Sequence, residues 1–526
     1  MTNFNLALPL CARAQRSPQR AALWVDDREF SYSELLDPVE RIAAWLQEKC
    51  AGEVHRVGIL ASRSVEACAG ILGACWAGAA YVPFNMEWPA ARIIKVLETI
   101  ELDALIVDAG GLKLLSNQVL AACPKNILVP DSQTTLSPGS FDLKLQVAGF
   151  SALPRPSVHH PPKEVSEDDL AYLIFTSGTT GSPKGVMISG GSVFHMLRAM
   201  RDRYPFSEQD RVAQIFDLTF DVSVLAMFIA WSAGAALYVV PGTQLAGPSR
   251  FIQEREITVW FSVPSTVALM RKMKLLNPGV FPSLRYSGFA GEPLPLSSVE
   301  AWWRAAPNSI IENLYGPTEA TVVCVGQKCS EPPNIRGERG VIAIGRPFEG
   351  MEAAIIDPSN RFLPAGEIGQ LVLSGRQLSQ GYLKDAAKTA ARFPEITGKV
   401  WYLTGDLACQ DDSGTFHYLG RIDHQVKVLG HRIELEDVEA NLREVCGTDL
   451  VAAIAWPIVD GSAQGIVAFI SGTSLSVAEV RNGMKSRVPP YMVPSQVHIV
   501  ESLPFSASGK VDRKALASLL PVNGVS

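Results

Sequence analysis

The ten residues TSGTTGSPKG, at 176–185, set Thr176, Ser177, Thr179, Thr180 and Ser182 among Gly178, Gly181 and Gly185, with Lys184 near the end. Glycines let backbone N–H groups converge, the hydroxyls add donors and the ammonium adds charge, a combination suited to holding an anion such as phosphate. The GxxxxGK[ST] template for a nucleotide loop fails here, because Pro183 precedes Lys184 and Gly185 follows it. On these residues alone the stretch reads as a phosphate grip or as a surface turn.

Strand-length apolar runs at 57–60, 104–107, 127–129 and 259–262 alternate with amphipathic stretches such as 39–48, where Ile42, Trp45 and Leu46 share a face. That alternation predicts an α/β fold with buried, largely parallel sheets to carry the loop. Residues 222–240 are 19 positions without a charge, the length of a membrane span. Ser232, Gly234 and the β-favouring run Leu237, Tyr238, Val239, Val240 instead predict a buried helix, a break and a buried strand. Past residue 420 a short strand-like piece precedes a helix with Leu435, Val438, Leu442 and Val445 on one face. Its first turns are acidic, as the helix dipole favours. An N-terminal domain over 1–420 and a C-terminal domain over 421–526 are expected.

A hydrophobic content of 47% with 19% charged residues, in 526 residues, describes a globular chain with ample core. Net charge is −6, and no basic run is interleaved with aromatics, which argues against nucleic-acid binding. Nine scattered cysteines without a CxxC read as buried thiols rather than a disulfide framework or zinc site. His159 and His160 precede two prolines and read as loop rather than as a metal pair. The first residues, MTNFNLALPLCARAQR, lack the basic start of a signal peptide. A cytoplasmic, monomeric protein without membrane insertion is expected.

Five further stretches join the loop: LAYLIF just before it, LYGPTEAT (314–321), YLTGDLA (402–408), GRIDHQVKVLGHRIELEDVE (420–439) and SGKVDRKAL (508–516). In this order and spacing they closely resemble the adenylate-forming superfamily of acyl- and aryl-CoA ligases, luciferases and the amino-acid adenylation domains of nonribosomal peptide synthetases. The resemblance runs from FSYSEL (30–35) to Lys514. WAGAAYVP (76–83) is most similar to amino-acid adenylation proteins, the D-alanine–carrier protein ligases among them, although Phe84 and Asn85 depart from the usual ending. It implies a large N-terminal domain of layered β-sheets and helices, and a small, mobile α+β C-terminal domain.

The resemblance also implies a two-step reaction. A carboxylate attacks the α-phosphate of ATP to give acyl-AMP and pyrophosphate, and a thiol then takes the acyl group. By resemblance, Thr176, Ser177, Gly178, Thr179, Thr180, Gly181 and Lys184 hold the β- and γ-phosphates. Tyr315 stacks on adenine, Thr318 contacts the α-phosphate and Glu319 ligates Mg2+, which prefers hard oxygen ligands. Asp406 accepts the ribose hydroxyls with Arg421 assisting, and Lys510 is the catalytic cation at the α-phosphate. Asp423 matches the hinge, and Lys427 lies with Gly430 in the segment that swings in for thioester formation.

In amino-acid adenylation proteins an aspartate after an aromatic residue binds the substrate ammonium, and Phe220-Asp221 stands in that place. A buried carboxylate needs a cationic partner, which an amino acid supplies. The remaining pocket positions, aligned by eye, are Val222, Leu225, Ser262, Gly288, Ala290, Leu314, Val322 and Val323, an uncharged lining that favours a neutral apolar amino acid. Ser262, Gly288 and Ala290 are expected to leave one wall open, so that the pocket is not tight around glycine.

No LGGxS-like carrier motif or HHxxxDG condensation motif occurs in the chain. The expectation is a free-standing enzyme of secondary-metabolite type that loads the phosphopantetheine thiol of a separate acyl or peptidyl carrier protein. An acyl- or aryl-CoA ligase is the nearest alternative. A non-catalytic amino-acid or nucleotide sensor on the same fold is the alternative of another class.

Overall fold

The computed structural model describes residues 2–131, 145–153, 155, 160–177, 183–329, 340–423, 425–428, 430–459, 462–504 and 511–520. Two large sheets organise the N-terminal part. A nine-stranded sheet runs in the order Arg346–Pro347, Val325–Cys329, Ile310–Tyr315, Tyr286–Ala290, Val259–Ser262, Arg211–Gln214, Ala236–Val239, Ala21–Val25, Arg28–Ser31. Its middle is parallel, and its strands are continuous apolar runs such as Val259–Ser262 because both faces are covered. The second sheet, seven-stranded, is parallel from Gln146–Gly149 through Ala80–Pro83 and Leu170–Thr176, then closes with the antiparallel strand Lys184–Ser189.

The helices Tyr32–Lys49, Val65–Trp76, Gly190–Arg203 and Val222–Ala233 lie in one core that draws side chains from both sheets. Separate clusters cover the outer face of each sheet. The uncharged run at 222–240 is the helix Val222–Ala233 followed by the strand Ala236–Val239. Gly234 caps that helix at φ 75°, a left-handed conformation that glycine adopts without a side-chain penalty. No helix among the described residues is long and apolar enough to cross a membrane.

A four-stranded antiparallel sheet follows, in the order Met351–Ile356, Ile368–Gly375, Tyr402–Gln410, Phe416–Arg421. Beyond Arg421 the core changes hands. One cluster gathers Val428, Leu435, Val438, Leu442 and Ile466, another gathers Ala452, Phe469, Leu503 and Leu516, and both are drawn from residues after 425. The helix Leu435–Cys446 buries Leu435, Val438 and Leu442 of the face read from its spacing, with Val445 partly buried, and carries Glu436 and Asp437 in its first turn. Its hairpin, Gln425–Val428 with His431–Glu434, projects from this unit onto the N-terminal part.

Candidate active site

The two ends of the glycine-rich stretch lie on paired antiparallel strands, where Thr176 is the register partner of Lys184. Gly178, Thr179, Thr180 and Gly181 lie outside the described residues, as does Lys510. The two ends of the loop are tied to the hairpin at 425–434. The Ser177 hydroxyl donates to the carbonyl of Arg432 at 3.0 Å and accepts from the amide of Glu434 at 3.1 Å. The Lys184 ammonium meets Glu434 Oε1 at 3.2 Å, and Gln425 donates to the same oxygen at 2.7 Å. Lys184 and Glu434 are both buried, so neither charge is left to water.

Glu319 is the middle residue of the short turn Thr318–Ala320, after the strand Ile310–Tyr315. Burial alone would raise its carboxyl, but Arg432 Nη1 donates to Oε2 at 2.7 Å and Tyr382 to Oε1 at 2.9 Å. The net result is a carboxylate held down to about 2. Among the described residues no group of three or more His, Cys, Asp or Glu side chains is placed to hold a metal ion by itself. A single hard carboxylate fits magnesium, which takes one or two protein carboxylates and completes its shell with phosphate oxygens and water. In this conformation the Arg432 guanidinium supplies the countercharge at Glu319.

Asp406, on Tyr402–Gln410, faces Arg421 across the sheet. Arg421 donates to Asp406 Oδ1 at 2.8 Å and to the Thr404 carbonyl at 3.0 Å, and it forks onto both oxygens of Asp423 at 2.8 and 2.6 Å. The Tyr315 hydroxyl donates to Asp406 Oδ2. Tyr315, Asp406 and Arg421 therefore form one connected unit, and Asp423 clamps the arginine just before the chain enters the second unit.

Asp221 stands at the N-terminus of the apolar helix Val222–Ala233, where the helix dipole favours an anion. Burial nevertheless pushes its carboxyl up to about 6, against the opposing pull of a Thr318 hydrogen bond and the Lys427 charge. A cavity of about 50 Å³ brings Asp221, Val222, Ala290, Tyr315, Thr318, Val322, Asp406, Arg421 and Lys427 to one place. Burial lowers the Lys427 ammonium, with Asp406 opposing the shift. A larger cavity of about 820 Å³ adjoins it, sharing Phe220 and Gly430. Its walls include Asp26, Glu66, Glu87, Asp108 and Asp217 against one guanidinium, that of Arg63, which is spent on the carbonyls of Val240 and Ile215.

The acid-pocket expectation needs one correction. In the strand Val259–Ser262, Val259 and Phe261 pack in the same core as Leu225, Ala290, Leu314, Val322 and Val323, while Trp260 packs in the cluster on the other face. Strand alternation therefore sends Ser262 away from the pocket, and its buried hydroxyl has no hydrogen-bond partner among the described residues. Phe261 takes the position assigned to Ser262. Its register partner on the next strand is Gly288. A Cβ on Gly288 would stand 2.8 Å from Phe261 Cδ1 and 2.8 Å from Leu314 Cδ1. Sequence reading also passed over Arg432 and Glu434, although both lie inside the stretch 420–439 and are charged residues in a hairpin strand.

Residues 10–383 match the family model described as AMP-binding enzyme. Among curated proteins, tyrocidine synthase 3 of Brevibacillus parabrevis is 34% identical over 512 residues, covering 96% of this chain and 7% of that protein. Delta-poly-L-ornithine synthetase of Acinetobacter baumannii is 33% identical over 518 residues, covering 96% of this chain and 36% of that protein. The chain thus spans a minor part of the length of these relatives. Among solved structures, the Vibrio cholerae adenylation domain AlmE, in complex with glycyl-adenosine-5'-phosphate, superimposes with a TM-score of 0.88 at 30% identity, covering 99% of this chain and 98% of that one.

Proposed function

This chain belongs to the AMP-binding enzyme family, the adenylate-forming, AMP-forming ligases, and from that membership we propose that it activates a neutral, apolar amino acid with ATP and passes it to the phosphopantetheine thiol of a carrier protein. The observation that carries the reading is Asp221, a buried carboxylate opening onto the same small cavity as Tyr315, Asp406 and Arg421. A substrate ammonium neutralises that carboxylate, and an acid without an amino group leaves it unpaired. The glycyl adenylate bound by AlmE supports an amino-acid substrate.

In the first step a substrate carboxylate oxygen attacks the α-phosphorus, and the bond to the pyrophosphate oxygen breaks. The work is positioning and charge neutralisation, with no protein nucleophile. Tyr315 packs against adenine, and Asp406 accepts from the ribose hydroxyls while Arg421 fixes its orientation. Thr318 donates at the α-phosphate, and Ser177 and Lys184 at the ends of the loop hold the departing pyrophosphate. Glu319 would hold magnesium, which when bound would supply charge neutralisation at the phosphates. Lys510 is assigned the cationic role at the α-phosphate.

In the second step the thiolate attacks the acyl carbonyl and AMP leaves. The hairpin at 425–434 stands at the site in a conformation suited to this step, because it ties up Lys184 and Glu319, the groups that the first step requires. Gly430, at its turn, has φ 85°, and a Cβ there would stand 2.8 Å from Val263 Cγ1. Gly430→Ala is expected to slow thioester formation about tenfold, from roughly 1–2 kcal/mol of backbone strain and contact in the docked hairpin. Amino-acid-dependent exchange should change less than about threefold, and transfer from pre-formed aminoacyl-AMP measured beside exchange checks the split.

The adjoining cavity supports a carrier rather than coenzyme A. The 3'-phosphate and diphosphate of coenzyme A would meet Asp26, Glu66, Glu87, Asp108 and Asp217, whereas a carrier-borne pantetheine brings a single phosphodiester at its far end. The test offers phosphopantetheinylated carrier and coenzyme A in parallel. Aminoacyl thioester on the carrier is expected, at least about tenfold faster than on coenzyme A. Faster loading of coenzyme A, with a plain carboxylic acid as substrate, favours the acyl-CoA ligase reading instead.

A further inference from the structure

Resting on the reading of the docked hairpin as the arrangement for thioester formation, we infer that Arg92 is a positioning residue for that step, which pairs with Asp437 across the two units and so holds the hairpin at the site. Arg92 lies on the helix Ala90–Thr99 of the N-terminal part, whose Ile93, Val96 and Leu97 pack in the outer cluster of the seven-stranded sheet. Asp437 lies in the first turn of the helix Leu435–Cys446, which follows the hairpin directly and packs Leu435, Val438 and Leu442 into the core of the second unit. The two charges therefore stand on helices anchored in different cores. They meet with Arg92 Nη1 3.9 Å from Asp437 Oδ2.

Both charges are out of water, Arg92 being 6% exposed and Asp437 0%. Arginine and aspartate are almost never buried so deeply unless paired, and here the pair spans the contact between the units. Asn441 donates to Asp437 Oδ1 at 3.1 Å, while Oδ2 is the oxygen that faces the guanidinium. The guanidinium also stands 5.3 Å from the centre of the Trp88 ring, within reach of a favourable cation–ring attraction. Tyr491 links this contact to the hairpin turn. Its ring stacks on His431 at 3.8 Å, and burial raises its hydroxyl with the Arg92 charge opposing the shift. His431 directly follows the turn residue Gly430. Removing one charge of the pair leaves the other buried and unpaired in the docked state, whereas in the undocked state each meets water alone. The change therefore bears on docking, and the first step, which needs the hairpin withdrawn, is expected to be indifferent to it.

The test follows two half-reactions, amino-acid-dependent ATP–pyrophosphate exchange and loading of phosphopantetheinylated carrier from pre-formed aminoacyl-AMP. The variants are Arg92→Met, Arg92→Lys, Asp437→Asn and the double change Arg92→Met with Asp437→Asn. Arg92→Met is expected to lower loading at least about tenfold while exchange stays within about twofold of wild type. Arg92→Lys keeps the charge and should retain at least about a third of wild-type loading. Because each single change breaks the same pair, the double variant should load no more than about threefold slower than the slower single one. Loading by Arg92→Met within about twofold of wild type overturns the inference. Equal losses in exchange and loading also overturn it, because they mark a residue that only supports the fold. So does a double variant whose loss is the product of the single losses, since the two side chains then act independently. Gly430→Ala, measured alongside, separates this inference from the reading beneath it. Normal loading by Gly430→Ala removes the hairpin assignment, whereas impaired loading there with normal loading by Arg92→Met removes the role of Arg92 alone.

Discussion

Replacing Lys510 with alanine is expected to lower adenylate formation about 10²–10³-fold while transfer from supplied aminoacyl-AMP stays within about twofold. Negative charge gathers around the α-phosphorus as the pentavalent arrangement forms, and a cation placed there acts in the transition state more than in the ground state. The other lysines near the site are poor substitutes: Lys184 is committed to the pyrophosphate in the first step, and Lys427 belongs to the hairpin assigned to the second. Losing one preorganised donor to a developing oxyanion costs about 2.7–4 kcal/mol, which sets the magnitude. Single-turnover formation of aminoacyl-AMP, measured beside thioester formation from the same adenylate added directly, reads the two halves. Equal loss in both, or loss in neither, contradicts the assignment.

Replacing Asp221 with asparagine is expected to lower kcat/KM for the amino acid about 10²–10³-fold, with the KM for ATP little changed. Truncating one partner of a buried charge pair costs on the order of 2–5 kcal/mol, much of it from the charge left unpaired on the other side. The pH dependence has a definite sign. Burial holds the Asp221 carboxyl at about 6, so the carboxylate that binds the ammonium forms only as pH rises through that value. Below it, the KM for the amino acid should climb about tenfold per pH unit in the wild type, and the asparagine variant should lose that slope.

Stability moves the other way. A carboxyl whose folded-state pKa is raised above the unfolded value contributes stability at low pH that is lost as pH rises from about 4 through about 6. At pH 7.5 the substrate-free wild type therefore carries a cost that the asparagine variant lacks, and the variant should melt about 1–3 °C higher. A variant that loses both activity and stability would point to a structural carboxylate instead.

The parts of the fold that read directly from sequence are those with a local signal. Ala104–Val107 and Val259–Ser262 follow their apolar runs, and Gly234 marks the break between the uncharged helix and its strand. Phe261 was missed for a physical reason. A strand buried on both faces shows no polar alternation, so the run Val259, Trp260, Phe261, Ser262 does not say which side chain meets the pocket. The register with Gly288 does. The ties of Ser177 and Lys184 to residues 432–434 join positions some 250 apart in the chain, and no local pattern encodes them. Tyr382 on Glu319 is a contact of the same kind.

The central claim is that this enzyme recognises its acid through the amino group at Asp221. ATP–pyrophosphate exchange with glycine and alanine, set against acetate and propionate of equal carbon number, tests it most directly. Exchange at least 100-fold faster in kcat/KM with the amino acids, and collapse of that advantage in Asp221→Asn, is the predicted result. Equal exchange with the des-amino acids, or an advantage that survives the substitution, would contradict the account.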